Sequence, residues 1–517
     1  KITFYLLLRL VSSIKIPYRK INFLSPLVQD YLSESAELSS FYGRYNTIDS
    51  FYNQMEEKSQ FPIDRMTLVD VLKKQNQAID LSDLTQSNIE SLESTDTFTI
   101  TTGHQLCIFT GPLYFLYKIV STINLSLALK EKYPSKHFVP VFWLASEDHD
   151  FDEINHINLF GQTIRWDSSQ GGAVGRNNLS NFSSVLEDLN LLMGKGQNAE
   201  RLKAIFHKAY SSANLAQATR VLINELFKDD GLVIIDGDDV QLKKSFVDIM
   251  KKDIQDHSFY PLIASQSEKL SENYKAQAYV RECNFFQLEQ GSRNRVLDRL
   301  DAKEIDSNPE KFSPNVLLRP LYQEMILPNL AYIGGGAELS YWMQLKTAFK
   351  SEHIPFPVLV LRNSVILTTP SQIDKINHLG FSFEDFFGSE SDLYKKYVQN
   401  QANISLESQV DSLGEIFHSI KDKFNDKAYE PMIDAEHQRQ KKSLENLSRK
   451  LYKVEKQKHE VALSQISKIK TSFFPNRILQ ERYNNFIPYY LKYGDNFIKK
   501  LKEELNPLDT NFVVLTL

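Results

Sequence analysis

The chain has 517 residues, of which 42% are hydrophobic and 24% charged, a balance typical of a folded globular protein rather than a disordered one. Its net charge of −5 provides no overall positive field, which argues against binding to nucleic acid or to an acidic membrane surface. The two cysteines, Cys107 and Cys283, are too few for a disulfide framework or a four-thiolate zinc site, and they favour a reducing compartment.

Residues 1–95 form the first predicted region, which consists mostly of helices separated by polar breaks. The apolar run near the N-terminus spans roughly eight residues and is interrupted by Arg9, whereas a helix needs about 20 apolar residues to cross a bilayer. This run also resembles a signal peptide only weakly. We therefore expect a cytoplasmic protein with no membrane contact, whose N-terminal helical segment packs on the core that follows.

Apolar runs within residues 96–387 predict a doubly wound α/β core. Residues 98–103 form a short β-rich run, residues 112–133 a long helix, and residues 138–146 a continuous apolar run typical of a strand that is buried on both faces. A strand–helix–strand unit of this kind is a parallel crossover. Strands that alternate with helices therefore predict a parallel sheet. The strand pattern returns at residues 232–239, 330–336 and 356–363.

Two stretches of the predicted core, about 156–200 and 280–300, resemble insertions that contain short strands. From residue 388 the composition changes, and apolar residues recur at alternating steps of four and three, as in a coiled coil. We predict an antiparallel coiled-coil hairpin over residues 388–472, whose apolar stripe is core or a dimer contact, and a helical return to the core over residues 473–517. The apolar positions are Leu406, Val410, Leu413, Phe417, Ile420 and Phe424 on the first helix and Leu444, Leu447, Leu451, Val454 and Val461 on the second.

The turn after the first core strand is one candidate site, because ligands of open α/β sheets bind beyond the C-terminal ends of the strands. Gly103 allows a close backbone approach, and the next helix begins nearby and can hold an anion at its N-terminus. His104 and Gln105 supply donors on the turn, and Tyr114 and Lys118 follow on the helix. The alternative interpretation is an ordinary strand-to-helix turn.

The segment after the most buried predicted strand is a second candidate, because it concentrates titratable groups that are unfavourable to bury without partners. These groups could bind a substrate ammonium, act in acid–base catalysis or hold a metal, although no standard zinc spacing occurs. A solvated turn and a metal-dependent hydrolase centred on this cluster are the alternatives. The cluster consists of Glu147, Asp148, His149, Asp150, Asp152, Glu153 and His156.

A run of three glycines before a helix is a third candidate, since its backbone could hold a phosphate or face a nucleoside. The run lacks the Lys-Ser/Thr pair of a Walker loop and the spacing of a dinucleotide fingerprint. A tight turn before an aromatic core helix is the alternative. The residues are Gly334, Gly335, Gly336, Glu338, Tyr341 and Trp342.

The junction at residues 474–490 is a fourth candidate, because ligands often bind where a separate element rejoins the body of a protein. Asn476 is its candidate contact to a nucleotide. An ordinary polar contact between domains is the alternative.

Four of these segments together resemble the BshC family of bacillithiol synthesis, in which cysteine is added to a sugar precursor. The likeness covers nearly the whole chain from about Ile16 onward, and four long motifs in one order are far more specific than any single motif. The resemblance implies a Rossmann-like core akin to class I aminoacyl-tRNA synthetases, with connecting insertions, and a coiled-coil hairpin used in homodimerisation. The motifs are TGHQLCIFTGPLYFLYKI, PVFWLASEDHDFDEINHI, IGGGAELSYWMQLK and FPNRILQERYNNFIPYYLKYG.

The reaction implied by the resemblance is the ligation of L-cysteine to glucosaminyl malate, the last step of bacillithiol synthesis. Amide formation from a free carboxylate requires an activated acyl group, so we expect ATP or ADP as the nucleotide and predict no metal. His104, Asp148 and His149 are the expected catalytic residues. The substrate contacts are assigned to Gln105, Tyr114, Lys118, Glu147, Asp150, Glu153 and His156, and the nucleotide contacts to Gly103, the glycine loop with its helix, and Asn476.

Two departures separate the sequence from class I synthetases. The turn reads Gly-His-Gln instead of His-x-Gly-His, and a mobile Lys-x-Ser-Lys loop has no good copy. A non-catalytic dimeric scaffold therefore stands beside the ligase and the hydrolase as a third hypothesis.

Overall fold

The structure is a computed structural model and describes residues 12–297, 299–402, 406–424 and 426–517. The chain divides into two compact units. The first runs to Ile366 and resumes over Gln480–Leu515, and the second spans Leu367–Leu479 with the last two residues. The N-terminal apolar run falls largely on residues 1–11, outside the described residues. No helix in the described part of the chain is both long and apolar enough to cross a bilayer.

Strands and helices alternate along the first unit, and helices dominate the second. The strands are β1 (Ser13–Pro17), β2 (Thr97–His104), β3 (His137–Leu144), β4 (His156–Leu159), β5 (Gln162–Arg165), β6 (Val233–Asp236), β7 (Phe285–Glu289), β8 (Ser292–Arg295), β9 (Phe312–Pro314), β10 (Asn329–Gly334), β11 (Val358–Leu361), β12 (Val365–Thr368) and β13 (Asn511–Thr516). The helices up to the end of the first sheet are α1 (Pro26–Leu32), α2 (Ser50–Ser59), α3 (Arg65–Gln75), α4 (Asp83–Ser91), α5 (Tyr114–Lys132), α6 (Phe151–Ile154), α7 (Ser183–Met193), α8 (Gln197–Tyr210), α9 (Leu215–Phe227), α10 (Val240–Lys244), α11 (Val247–Asp256), α12 (Phe259–Ser271), α13 (Ala302–Ser307), α14 (Arg319–Ile326), α15 (Gly336–Trp342) and α16 (Lys346–Ser351). The later helices are α17 (Pro370–His378), α18 (Glu390–Gln401), α19 (Glu407–Phe424), α20 (Glu430–Lys458), α21 (Glu460–Phe473), α22 (Gln480–Tyr483), α23 (Ile487–Tyr493) and α24 (Asp495–Glu504).

A five-stranded parallel sheet in the order β11-β10-β2-β3-β6 forms the centre of the first unit. Every residue of β2 is buried, and helix α5 packs against both β2 and β3. Because helices cover the strands, these segments are continuous apolar runs rather than alternating ones. The predicted doubly wound α/β core is therefore confirmed.

The N-terminal region contributes to this core through helix α2, which packs against β10. Phe51 and Met55 of α2 lie in one buried cluster with Phe98 and Val360 of the sheet. Burial of each large apolar side chain stabilises the fold by about 1.5–3 kcal/mol. The helices predicted within residues 1–95 thus include one that packs directly on the sheet.

Strands β1 and β13 were not predicted, because residues 1–95 were expected to be mostly helical and residues 473–517 to form a helical return. They pair antiparallel, with Ser13 opposite Leu515 and Pro17 opposite Asn511. The sequence pattern near β1 is short and carries no sign of a partner at the far end of the chain. A strand that depends on such a distant pairing is hard to predict locally.

Two small antiparallel sheets occupy the stretches predicted as insertions. Strands β4 and β5 form a hairpin, and β7 pairs with both β8 and β9. The short strands predicted within these stretches are therefore present.

The second unit contains the predicted coiled-coil hairpin, which is confirmed. Helices α19 and α20 run antiparallel, with Phe417 stacked on His437 at 4.9 Å between ring centroids and Lys421 paired with Asp434 at 2.5 Å. The second long helix was predicted to continue to Pro475, but it breaks at His459, whose φ of −108° and ψ of 19° are not helical. The unit begins at Leu367, whereas the sequence placed the start of the hairpin domain at residue 388.

Candidate active site

A cavity of about 770 Å³ opens at the C-terminal ends of β2, β3 and β10. Gly103 and His104 end the first of these strands, Leu144 ends the second, and Tyr332 lies near the end of the third. Parallel strands present their C-terminal ends at one edge of the sheet, which is where ligands of such folds bind. The cavity volume lies in the ordinary range of small-molecule sites.

Lys118 and Glu338 form a buried ion pair on the cavity wall, with 2.6 Å between Nζ and Oε2. Lys118 also donates to the carbonyl oxygen of Gly103 at 2.8 Å, so it ties helix α5 to the end of β2. Burial lowers the pKa of Lys118, although Glu338 counteracts the shift. Burial acts to raise the pKa of Glu338, but Lys118 and the Gly335 and Tyr332 donors hold it below its usual value. The two charges therefore neutralise each other inside the protein.

The glycine loop does not line the cavity, which corrects its predicted contact with a nucleoside. The Gly335 N–H donates to Glu338 Oε2 at 2.8 Å, so this donor is already used within the protein. A Cβ atom at Gly334 would lie 3.0 Å from the Cβ of Glu338, which explains the glycine by tight packing rather than by ligand approach. Glu338 and Tyr341, which follow the loop, do line the cavity.

Trp342 and Asn476 are also absent from the cavity wall. Trp342 is fully buried and stacks on Tyr332 with 4.7 Å between centroids, so its aromatic signal reflects core packing. Asn476 belongs to the second unit. Their predicted roles as nucleotide contacts are therefore not supported by this cavity.

His104 lines the cavity as a neutral imidazole. Burial, followed by the nearby Lys118 ammonium, lowers its pKa to about 3. Its Nδ1 lies 2.9 Å from the carbonyl oxygen of Gln105, and a carbonyl can only accept, so Nδ1 carries the proton. The Nε2 atom then presents a lone pair. His104 is thus suited to accept a proton or a hydrogen bond, whereas the sequence analysis expected it to supply a donor on the turn.

Gln105 connects two carboxylates of the acidic segment. Its Nε2 donates to Asp148 Oδ2 at 2.8 Å and to Glu153 Oε2 at 2.7 Å. All three residues line the cavity. The amide orients both carboxylates without neutralising them, which leaves negative charge available for a substrate ammonium.

Glu147 also lines the cavity, and a network of charged side chains from other segments holds its carboxylate in place. Lys243 lies 2.5 Å from Glu147 and 3.3 Å from Asp238, and Arg176 grips Asp238 with two hydrogen bonds of 2.8 Å. Burial raises the pKa of Glu147, and Lys243 limits this rise. No local sequence pattern predicts this network, because Lys243 and Arg176 come from distant segments of the chain.

His149 and Asp150 do not line the cavity, although both were predicted to act in it. The Nδ1 of His149 accepts from Arg293 Nη1 at 3.1 Å, and its ring lies 6.0 Å from that of Phe286. Asp150 instead caps helix α6. Both side chains therefore make local structural contacts outside the cavity.

His156 lies in a second, smaller cavity of about 320 Å³. Gln105, Tyr114 and Glu153 line both cavities, so they form a shared wall between them. The predicted substrate-binding set is thus distributed over two adjacent spaces rather than one.

Four arginines on the wall of the larger cavity were missed by the sequence analysis. Three of them, Arg281, Arg293 and Arg295, fall in the stretch 280–300 that was classed as an insertion, and Arg319 begins helix α14. The local concentration of arginines in a short insertion was a usable signal. Their convergence with the strand ends could not be inferred without the fold.

In the described part of the chain, no group of three or more histidine, cysteine, aspartate or glutamate side chains is arranged to hold a metal ion. The hydrolase hypothesis required His149, Asp150 and His156 to converge in this way. The acidic segment is therefore better suited to binding a cationic substrate group.

Two family models match the chain along almost its entire length. The model described as "Bacillithiol biosynthesis BshC, N-terminal Rossmann-like domain" matches residues 11–363. The model described as "Bacillithiol biosynthesis BshC, C-terminal coiled-coil domain" matches residues 365–517. The two matches meet close to Ile366, where the compact units divide.

Relatives from several bacteria match over nearly full length. A protein of Flavobacterium johnsoniae is 41% identical over 97% of this chain and 99% of its own length. A protein of Christiangramia forsetii is 40% identical over 97% and 98%, and one of Cytophaga hutchinsonii is 35% identical over 94% and 95%. Each of the three carries the name "Putative cysteine ligase BshC".

Proposed function

The chain belongs to the BshC family of bacillithiol biosynthesis, and on that premise we propose that it ligates L-cysteine to glucosaminyl malate in the last step of bacillithiol formation. The observation that carries the proposal is the cavity at the strand ends, where Asp148 and Glu153 are oriented by Gln105 and exposed to a ligand. Both substrates carry amines, which these carboxylates suit. The full-length family match supports the choice of reaction.

The bond formed is an amide between the cysteine carboxyl carbon and the amine of the glucosamine ring. We propose that ATP activates the carboxylate. A carboxylate oxygen attacks a phosphorus atom, and pyrophosphate or ADP leaves according to which phosphorus is attacked. The amine then attacks the acyl carbon, the phosphorylated group departs as AMP or phosphate, and one amine proton passes to a base.

His104 is the proposed acceptor of that proton. Its Nδ1–H is directed to the Gln105 carbonyl, so the lone pair on Nε2 is free to accept. A neutral imidazole can receive a proton transiently and return it to solvent, whereas a permanently charged one could not. The open Nε2 lone pair supports this role, and because the lowered pKa makes His104 a weak base, an accepted proton passes on at once and does not stay on the ring.

We further propose that the protein forms a homodimer through the hairpin of the second unit. Leu447, Leu451 and Val454 of α20 follow the coiled-coil spacing, and they are 46%, 38% and 56% exposed. Such a seam is normally covered by another helix. A second copy of α20 is the occupant that this spacing fits.

The test of the ligase proposal is incubation of the purified protein with L-cysteine and glucosaminyl malate, with and without ATP, followed by mass spectrometry. We expect a product whose mass equals the two substrates minus water, formed only with ATP. Absence of this product under both conditions would contradict the proposal. Product formation without ATP would support the ligase reaction and contradict the proposed role of ATP.

A further inference from the structure

We propose that Arg281, Arg293, Arg295 and Arg319 form a subsite for the two carboxylates of the malate portion of the acceptor. This inference rests on the proposed function and assigns one substrate portion to one wall of the cavity. All four side chains line the same cavity as the acidic segment. We call these four residues the arginine wall.

Each guanidinium group of the arginine wall lies near an aromatic ring. The Cζ of Arg293 lies 3.9 Å from the ring centroid of Phe286, and that of Arg295 lies 4.7 Å from the same ring. Arg319 lies 5.8 Å from the Trp143 ring, and Arg281 lies over the ring of Tyr279. The N–H groups of a guanidinium point outward from its edge, where a carboxylate can accept hydrogen bonds from those that have no other partner.

The four arginines, which are exposed or half-buried, differ from the buried lysines of this region in having no carboxylate partner within the described residues. Lys118 is paired with Glu338, and Lys243 beneath the cavity is paired with Glu147. Within the described residues, none of the four arginines makes an ion pair closer than 4.0 Å.

Two nitrogen atoms of the arginine wall are buried without a hydrogen-bond partner in the described part of the chain, namely Nη2 of Arg319 and Nε of Arg293. A buried donor without a partner is destabilising by about 1–3 kcal/mol. The remaining donors of Arg293 go to His149, Ser313 and the Pro314 carbonyl. The unused nitrogens therefore indicate that an anionic ligand completes the site.

The charge arrangement of the cavity selects the acceptor over the nucleotide as that ligand. Asp148 and Glu153 give one part of the wall negative charge, and the arginine wall gives another part positive charge. Glucosaminyl malate carries an amine and, on a separate substituent, two carboxylates, so it has both charges that this cavity complements. ATP offers phosphates for the arginines but no cationic group for the carboxylates.

The experiment combines variants with a truncated acceptor. Arg293→Met and Arg319→Met are compared with the unmodified protein on glucosaminyl malate and on methyl glucosaminide, which keeps the amine and lacks malate. We expect kcat/KM for glucosaminyl malate to fall about 10- to 100-fold, the range for a charged hydrogen bond, while kcat/KM for methyl glucosaminide stays within about twofold. Arg165→Met, an exposed arginine on the β4–β5 hairpin that lines neither cavity, is the matched control and should leave both values unchanged.

Direct binding of L-malate gives a readout that does not depend on catalysis. Titration calorimetry should detect L-malate binding to the unmodified protein and a loss of at least about tenfold in affinity for each wall variant. Equal losses with both acceptors, or a raised KM for ATP with the acceptor KM unchanged, would overturn the assignment. If the unmodified protein forms no product with either acceptor, the proposed function is contradicted. The binding of L-malate, and its loss in the wall variants, then tests the arginine subsite separately.

Discussion

Strand β2 and helix α19 show two different ways of using apolar residues. Every residue of β2 is buried within the first unit, whereas α19 contains no fully buried residue within the second. Both segments were recognisable from their apolar patterns. The difference indicates that the first unit completes its own core, while the hairpin leaves apolar surface exposed.

Charged groups follow the same division. In the first unit Lys118 and Glu338 are paired with little solvent access, at 4% and 23% side-chain exposure. In the hairpin Lys421 and Asp434 are 32% and 53% exposed. Removing one member of a buried pair is strongly destabilising, whereas an exposed pair contributes little. Substitutions at the buried ion pair of the first unit should therefore have large effects on folding, and substitutions at the exposed pair of the hairpin small ones.

The largest expected effect comes from Lys118→Met. Loss of this ammonium leaves Glu338 charged, buried and unpaired, so we expect the free energy of unfolding to fall by about 3–5 kcal/mol, measured by denaturant titration. Ligase activity should be lost as well, because Lys118 also fixes Gly103 at the end of β2.

Two controls distinguish this burial effect from a general effect of the substitution. Lys132→Met lies on the same helix and breaks an exposed pair with Asp49, so it should leave the free energy of unfolding nearly unchanged. The double variant Lys118→Met with Glu338→Gln removes both charges and should recover part of the loss. If the single and double variants are equally stable, the buried pair is not the cause.

The second prediction concerns the pH dependence of stability at His104. Its pKa of about 3 in the folded chain lies below the ordinary value of about 6.5, so between these values only the unfolded chain binds a proton there. The free energy of unfolding therefore falls as the pH falls through this window, by up to about 1.4 kcal/mol per pH unit. His104→Gln should show a shallower slope between about pH 6.5 and 4.5.

The matched control for His104 is His418→Gln, whose side chain is 78% exposed on α19. This substitution should leave the slope unchanged when unfolding is followed across the same pH series. A His104→Gln slope equal to that of the unmodified protein would mean that this imidazole is not held neutral by the fold.

A third prediction tests the network beneath Glu147. Lys243 counteracts the rise that burial causes in the pKa of Glu147, so Lys243→Met should raise that pKa further. If ionised Glu147 is needed in the cavity, the acidic limb of the kcat/KM profile should move to higher pH. Lys244→Met, an exposed neighbour, should leave the profile in place. A lower kcat/KM at all pH values without a shift would assign Lys243 a structural role alone.

The fold was largely predictable because strands buried on both faces must be apolar throughout. The runs that contain Ile100, Val141, Ile234, Ile333 and Val360 therefore each marked a strand of the central sheet. Strands β1 and β13 were missed because their pairing joins opposite ends of the chain, and nothing in either segment identifies the other.

The site was only partly predictable, because side-chain direction is decided by packing. His104, Gln105 and Glu147 were found through their position after buried strands, and all three line the cavity. Trp342 was assigned to the same site, yet its ring faces the core. The arginine wall was missed because an insertion far from β2 and β3 in sequence returns to the ends of those strands, which only the tertiary fold can bring about.

We expect the smallest effect on the folding of a single chain from Leu447→Glu combined with Leu451→Glu. This double variant is also the most direct test of whether the exposed hairpin surface is covered by a second chain. These side chains are 46% and 38% exposed, so helix content measured by circular dichroism should change little. If α20 pairs with its copy in a second chain, two carboxylates on that seam would repel their counterparts and be desolvated. Multi-angle light scattering should then report a dimer for the unmodified protein and a monomer for this variant.

Lys442→Glu is the control for that prediction, because this exposed residue lies on the opposite side of α20 from Leu447 and Leu451 at 100° per residue. It introduces negative charge into the same helix without entering the seam, so the dimer should persist. A monomeric unmodified protein, or dissociation by Lys442→Glu to the same degree, would mean that the exposed seam does not join two copies. A dimer that only the seam variant dissociates would establish that the apolar surface left open by the hairpin is completed by a second chain, in contrast to the self-contained core around β2.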